Sequence, residues 1–158
     1  MEYTIINLET FSVVGVREFT STENGENFIA IPRMWADLPA ETFAALQKLS
    51  DREPSGILGL CANMSESGFD YWMAVATTKE CPAGFAKLDI PAAQWAVFEI
   101  TGAMPRAIQD GAKYVFDEWL PSSGYRHTDA PNIERYSADD MDAPDYKSEM
   151  WVPVIENS

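Results

Sequence analysis

The 158-residue sequence is poor in the residues that most catalytic chemistry requires. It has one histidine, His127, and two cysteines, Cys61 and Cys81. A serine or cysteine nucleophile would need His127 as its base, and no nucleophile-elbow motif accompanies it. One histidine and two separated cysteines give no zinc-ligand spacing. Two cysteines do not make a disulfide framework. Cys61 lies in an apolar run and reads as a small core residue, and Cys81, before Pro82, as a loop residue. His127, just after Gly124, reads as a surface loop residue. The nine glycines are scattered, so no phosphate-cradling loop is formed. Asp139, Asp140, Asp142 and Asp145 lack the glycine and terminal glutamate of an EF-hand loop and read as a solvated acidic loop. Neither a metal nor a cofactor is expected.

Positive charge is also scarce. Eleven basic residues face 25 acidic ones, for a net charge of −14. That balance opposes binding to nucleic acid and to anionic lipid. No apolar run reaches the roughly 20 residues needed to span a bilayer. No basic segment leading into an apolar stretch opens the sequence, so no signal peptide is visible and the expected setting is cytoplasmic. Nor is there room before the first strand for a helix-turn-helix.

Hydrophobic residues, by contrast, make up 46% of the chain, enough for one domain with a real core. A short strand is expected at Tyr3–Ile6 and a longer one at Phe11–Phe19. Ile31–Leu38 reads as a short helix with Pro32 in its first turn. Phe43, Leu46 and Leu49 mark a second helix after Pro39. Ile57–Ala62 and Phe69–Ala76, with the loop Ser65–Gly68 between them, should form an antiparallel pair. Phe85–Ile90 and Gln94–Thr101 read as strands. The strongest helix runs from Pro105 to about Leu120, with Ile108, Ala112, Val115, Phe116 and Trp119 on one stripe. Asn132–Tyr136 and Lys147–Val154 complete the set.

The order strand, helix, strand, strand thus occurs twice. The expected fold class is α+β: two half-repeats, about 1–78 and 79–158, each a curved antiparallel sheet with a helix on one face. Together they would make one pseudo-two-fold domain with a cleft between the halves.

The last strand carries the most pointed pattern. Alternate residues share a face, so Glu149 and Trp151 point one way and Met150, Val152 and Val154 the other. The aliphatic set looks like a core face. An acid beside an indole suits a flat or cationic organic molecule. Trp35 and Trp119, on helical stripes, read as core; Trp72, Trp95 and Trp151, on strands, fit core or cleft.

Several segments together resemble one family. They include Ile31-Pro32 with Trp35, Gly56-Ile57, and Phe69-Asp70-Tyr71 in the first half. The second half adds Ile90-Pro91-Ala92, Trp95-Ala96-Val97-Phe98, Met104-Pro105, Glu118-Trp119-Leu120-Pro121-Ser122-Ser123-Gly124-Tyr125 and Asp145-Tyr146-Lys147-Ser148-Glu149-Met150-Trp151-Val152-Pro153-Val154. In this the chain resembles the GyrI-like (gyrase-inhibitor-like) family, the effector-binding domain also fused to AraC-type and multidrug-responsive MerR-type regulators. The resemblance covers nearly the whole chain. It implies the duplicated fold and a central cleft for small organic ligands, many aromatic or cationic, contacted by an acid on a late strand. By position that acid is Glu149, with Trp151 on the same wall. Glu134 and Tyr136 match as a second pair, and the family pattern favours Tyr71 in the cleft; Trp95 fits core or cleft, and Tyr114 could approach the cleft from the long helix.

Two functions remain open on these residues. One is a stand-alone binder of drug- or toxin-like organic molecules. The other is a metal-independent hydrolase of cyclopropane-bearing toxins with Glu149 as general acid or base, as the resemblance to some stand-alone members implies. The binder ranks first. A protein-interaction role, with a protein partner or a homodimer, ranks below both. The charge balance also makes a prediction: the isolated chain should show no sub-micromolar, salt-sensitive binding to duplex DNA in a fluorescence-anisotropy titration across ionic strength.

Overall fold

The structure, a computed structural model, describes residues 2–157. In chain order the elements begin with β1 (Tyr3–Leu8), β2 (Phe11–Ser21), α1 (Asn27–Asp37), α2 (Ala40–Leu49), β3 (Leu58–Ala62) and β4 (Gly68–Ala76). They continue with β5 (Ala86–Ile90), β6 (Ala93–Thr101), α3 (Arg106–Tyr114), β7 (Tyr125–His127), β8 (Asn132–Tyr136) and β9 (Lys147–Glu156). By contacts the chain divides into two units, residues 11–90 and residues 1–10 with 91–158. The expected half-repeats, 1–78 and 79–158, differ from this division by an exchange. β1 pairs with β6, while β5 pairs with β2.

In the 11–90 unit the sheet runs antiparallel, with β4 between β3 and β2, and β5 beyond β2. Alternation along β4 decides what each residue meets. Phe69, Tyr71 and Met73 pack with Met34 of α1, and Val75 packs with Leu46 of α2 and Ile57. Trp72 points the other way, paired across β3 with Leu60 and across β2 with Arg17.

In the other unit β9 is central, antiparallel to β6 on one side and to β7 and β8 on the other; β1 extends the sheet beyond β6. Met150, Val152 and Val154 of β9 and Ala96, Phe98 and Ile100 of β6 pack with Ile108, Val115 and Trp119 from the helix. The core face read from the sequence of β9 is therefore the face that the helix covers. The fold class is α+β, and the order strand, helix, strand, strand occurs twice.

Three local features differ from the sequence reading. α1 starts at Asn27, continuing a short turn at Glu23–Gly25, so Pro32 lies inside the helix rather than in its first turn. It forfeits the bond its N–H would have made to the carbonyl four residues back, and its ring crowds that carbonyl. The long helix continues beyond Tyr114 through a π-helical turn, Val115–Trp119, and a last turn, Leu120–Ser122. Pro121 has no N–H for the preceding turn and its ring crowds it, which a wider turn relieves. His127 is not a loop residue. It closes the short strand β7, half-buried, with Nε2 2.6 Å from Asn132 Oδ1 and its ring against Phe116. Cys61 and Cys81 are both half-buried, and neither is joined in a disulfide.

Gly15 and Gly111 both sit where elements press together, and they differ in what surrounds them. A Cβ on Gly15 of β2 would collide with backbone, the Met73 carbonyl and Ala74 Cα. A Cβ on Gly111 of α3 would lie 2.6 Å from Ile100 Cδ1, the movable end of a side chain. Gly15→Ala should therefore destabilise by about 2–3 kcal/mol, and Gly111→Ala by roughly 1 kcal/mol or less. Urea unfolding of the two variants side by side checks the order.

Candidate functional site

The site residues come from the face of β9 that the helix leaves uncovered. Glu149 faces Glu99 of β6 on one side and Arg135 of β8 on the other. One pleat along, Trp151 faces Val97 and Ile133. The β1 strand adds Thr4 opposite Val97, and Glu2 accepts the Glu99 amide through its carbonyl. Antiparallel register thus aligns the carboxylates of Glu149 and Glu99, with Glu2, just before β1, bordering the same hollow and one guanidinium at the other end of the row. Like charges at facing positions repel.

Glu149 is held at one oxygen. Arg135 Nη1 donates to Oε1 at 3.1 Å, and Trp151 Nε1 donates to the same atom at 3.2 Å. The side chains of Arg135 and Glu149 are 35% and 31% exposed, so the pair is neither buried nor freely solvated. An open hollow of about 390 Å³ borders the carboxylate, lined by Glu2, Tyr3, Thr4, Val97, Glu99 and Glu149. The tryptophans lie behind it. Trp151 and Trp95 are buried, with ring centres 6.3 Å apart in an edge-on contact. Trp95 Nε1 is buried without a hydrogen-bond partner among the described residues.

The start of β9 is anchored nearby. The Gly102 amide donates to the Tyr146 carbonyl at 2.8 Å, and the Tyr146 hydroxyl donates to the Ser137 carbonyl at 2.7 Å. Burial pushes the Tyr146 hydroxyl above the ordinary phenol range, partly offset by its bonds to Ser137. Lys147 Nζ donates to Thr101 Oγ1 across the strand pair. These ties fix the register that sets Glu149 opposite Arg135.

Comparison with known proteins adds the family. The profile of the GyrI-like small molecule binding domain matches residues 1–155. The chain belongs to the GyrI-like family. No curated protein matches it. Among solved structures, it resembles SAV2435 bound to tetraphenylphosphonium, at 27% identity and a TM-score of 0.86, covering 98% of this chain and 94% of that one. It also resembles a Staphylococcus aureus MU50 protein described as a bacterial transcription regulation protein, at 27% identity and a TM-score of 0.80, covering 98% of both chains. The C-terminal domain of EcmrR shares the fold at 14% identity and a TM-score of 0.64, over 99% of this chain and 98% of that one.

In this GyrI-like domain the residues singled out from sequence separate into groups. Glu149, Trp151 and Trp95 come together on the helix-free face of β9 and β6. Glu134 and Tyr136 bond to each other, hydroxyl to carboxylate at 2.8 Å. Their register partners are Met150 and Ser148, which puts them on the opposite face of the sheet from Glu149. Tyr114 packs at the edge of the helix-covered core. Tyr71 belongs to the 11–90 unit, buried beneath α1, where its hydroxyl accepts the Trp35 indole N–H at 2.8 Å. It lines a separate hollow of about 420 Å³ beside α1, with Met34, Met73 and Arg17.

The residues that sequence reading missed are Arg135, Glu99 and Glu2. Arg135 adjoins Glu134 in sequence, and only the phase of β8 against β9 decides which of the two meets Glu149. Among the described residues no group of histidine, cysteine and carboxylate side chains could hold a metal ion, and no helix is long and apolar enough to cross a membrane.

The Trp151 indole supports both the core and the carboxylate, and two substitutions separate those roles. Trp151→Phe removes the N–H donor and should cost about 1 kcal/mol. Trp151→Ala also empties buried volume and should cost roughly 3–5 kcal/mol. Chemical denaturation of both variants measures the difference.

Proposed function

We propose that this GyrI-like domain binds organic cations with aromatic bulk, and that Glu149 supplies the countercharge. The observation that carries this reading is the Glu149 carboxylate itself. It is held at one oxygen by two donors and borders an open hollow with two further carboxylates, Glu2 and Glu99. Like charges placed across neighbouring strands raise the local negative potential, and the chain's net charge of −14 adds a long-range attraction for cations. A lipophilic cation with a delocalised charge needs no hydrogen bond from the site. It needs a negative potential and apolar surface, here the side chain of Val97. The resemblance to SAV2435, which is seen bound to tetraphenylphosphonium, supports the same ligand class.

The buried position of Trp151 changes its part in this reading. It acts from behind, orienting the carboxylate through its N–H, rather than as an exposed stacking surface. The one-third exposure of Glu149 likewise reduces the energy that its charge can contribute below that of a fully desolvated pair.

Calorimetric titration with tetraphenylphosphonium tests the proposal. Glu149→Gln keeps the side-chain shape and should weaken binding by about 1–2 kcal/mol, while a neutral triphenyl compound should lose little. Equal affinities of the wild-type and Glu149→Gln proteins for the cation would remove Glu149 from the site. Chromatography of the recovered ligand should return it unchanged; a product that forms with the wild type and not with Glu149→Gln would favour hydrolysis.

A further inference from the structure

We propose that Arg135 is a specificity-determining residue: an internal cation that engages the Glu149 carboxylate and sets the threshold a ligand cation must exceed. The inference rests on the reading of Glu149 as the countercharge, and goes beyond it by naming what the ligand competes with.

Three observations carry it. First, Arg135 Nη1 lies 3.1 Å from Glu149 Oε1, and both side chains are about one-third exposed. A pair of this exposure contributes little to folding. Its main effect is to neutralise the carboxylate that a ligand would use. Second, among the described residues Arg135 is the basic side chain ion-paired to that carboxylate, whereas Glu99 and Glu2 add only negative charge to the row. Removing it changes the local balance from three carboxylates and one guanidinium to three carboxylates alone. Third, the other unit repeats the motif with its own arginine. Asp70 and Trp72 of β4 have the spacing and the helix-free face of Glu149 and Trp151 on β9. There the Arg17 guanidinium lies 5.6 Å from the centre of the Trp72 ring, and Asp70 accepts from Asn63 Nδ2 at 2.8 Å. Each acid-x-Trp pair is thus met by an arginine from a neighbouring strand.

A ligand cation entering beside Glu149 must either displace the Arg135 head group or tolerate its repulsion. Both routes reduce affinity for cations and leave neutral ligands unaffected. Arg135 therefore admits only cations whose apolar contacts are large enough to offset that loss, which selects bulky lipophilic cations over small polar ones.

The test is calorimetric titration of tetraphenylphosphonium, with a neutral triphenylphosphine oxide control, against the wild type, Arg135→Gln, Arg135→Lys, Glu149→Gln and the double variant. Arg135→Gln should bind the cation about five- to twentyfold more tightly and the neutral control unchanged. Combined with Glu149→Gln, the same substitution should gain about twofold or less, because its target charge is gone. Arg135→Lys lacks the planar fork and should bind about twofold more tightly than wild type. It carries the test if thermal melting shows Arg135→Gln unfolded. If Glu149→Gln weakens cation binding but neither Arg135 variant strengthens it, Arg135 is only a structural partner and the inference fails alone. If Glu149→Gln also leaves cation affinity unchanged, the reading of Glu149 fails and takes this inference with it.

Discussion

The two-sidedness of β9 constrains everything at the site. Its pleat sends Met150, Val152 and Val154 into a core shared with Ile108, Val115 and Trp119 of the long helix. The same pleat leaves Glu149 and Trp151 on the other face. A shift of one residue in register would exchange the faces and press a carboxylate beneath the helix, where an unpaired charge is costly to bury. Apolar burial on one side thus holds an acid in place on the other. The energy that fixes Glu149 comes from residues on the opposite face of the sheet.

The carboxylate row carries a cost to stability. Facing like charges on adjacent strands work against the sheet. Two donors on Glu149 Oε1 offset part of that repulsion, one from an indole that is itself buried and one from a half-exposed guanidinium. The indole N–H cannot leave without disturbing the core. The guanidinium sits on a long side chain that is partly solvated. One partner is therefore fixed by the core, and the other is reached by solvent. That division of labour follows from burial alone.

The two units solve the same packing problem with different material. Each lays helix on one face of an antiparallel sheet and carries a tryptophan on the other face. In the 11–90 unit two short helices, α1 and α2, cover β4, and Tyr71 is drawn into that contact by the Trp35 indole. In the other unit one longer helix with a π turn does the covering, and the aromatic side chain beneath it is Phe98, against Trp119 at 4.8 Å between ring centres. Tyr71 is therefore a helix-side residue of its unit, while Trp151 is a helix-free-side residue of its own. Their common aromatic character conceals opposite positions in the pleat.

The sequence by itself determined the elements and their faces. Alternation along Lys147–Val154 separated Glu149 and Trp151 from the aliphatic set, and the stripe of Ile108, Val115 and Trp119 marked the helix that covers it. Period is a local property, so it survives without any knowledge of neighbours. The ordered segments from Ile31-Pro32 to Val152-Pro153-Val154 carried the family as well. Tertiary structure decided what period cannot carry: which strand lies beside which, and in what phase. It placed Arg135 rather than Glu134 opposite Glu149, because register is set by pairing across some dozen intervening residues. It joined β1 to β6 and β5 to β2, exchanges between distant segments that no local pattern encodes. It turned Trp95 and Trp151 inward behind the carboxylate, since burial depends on everything packed around a ring and not on the strand that bears it.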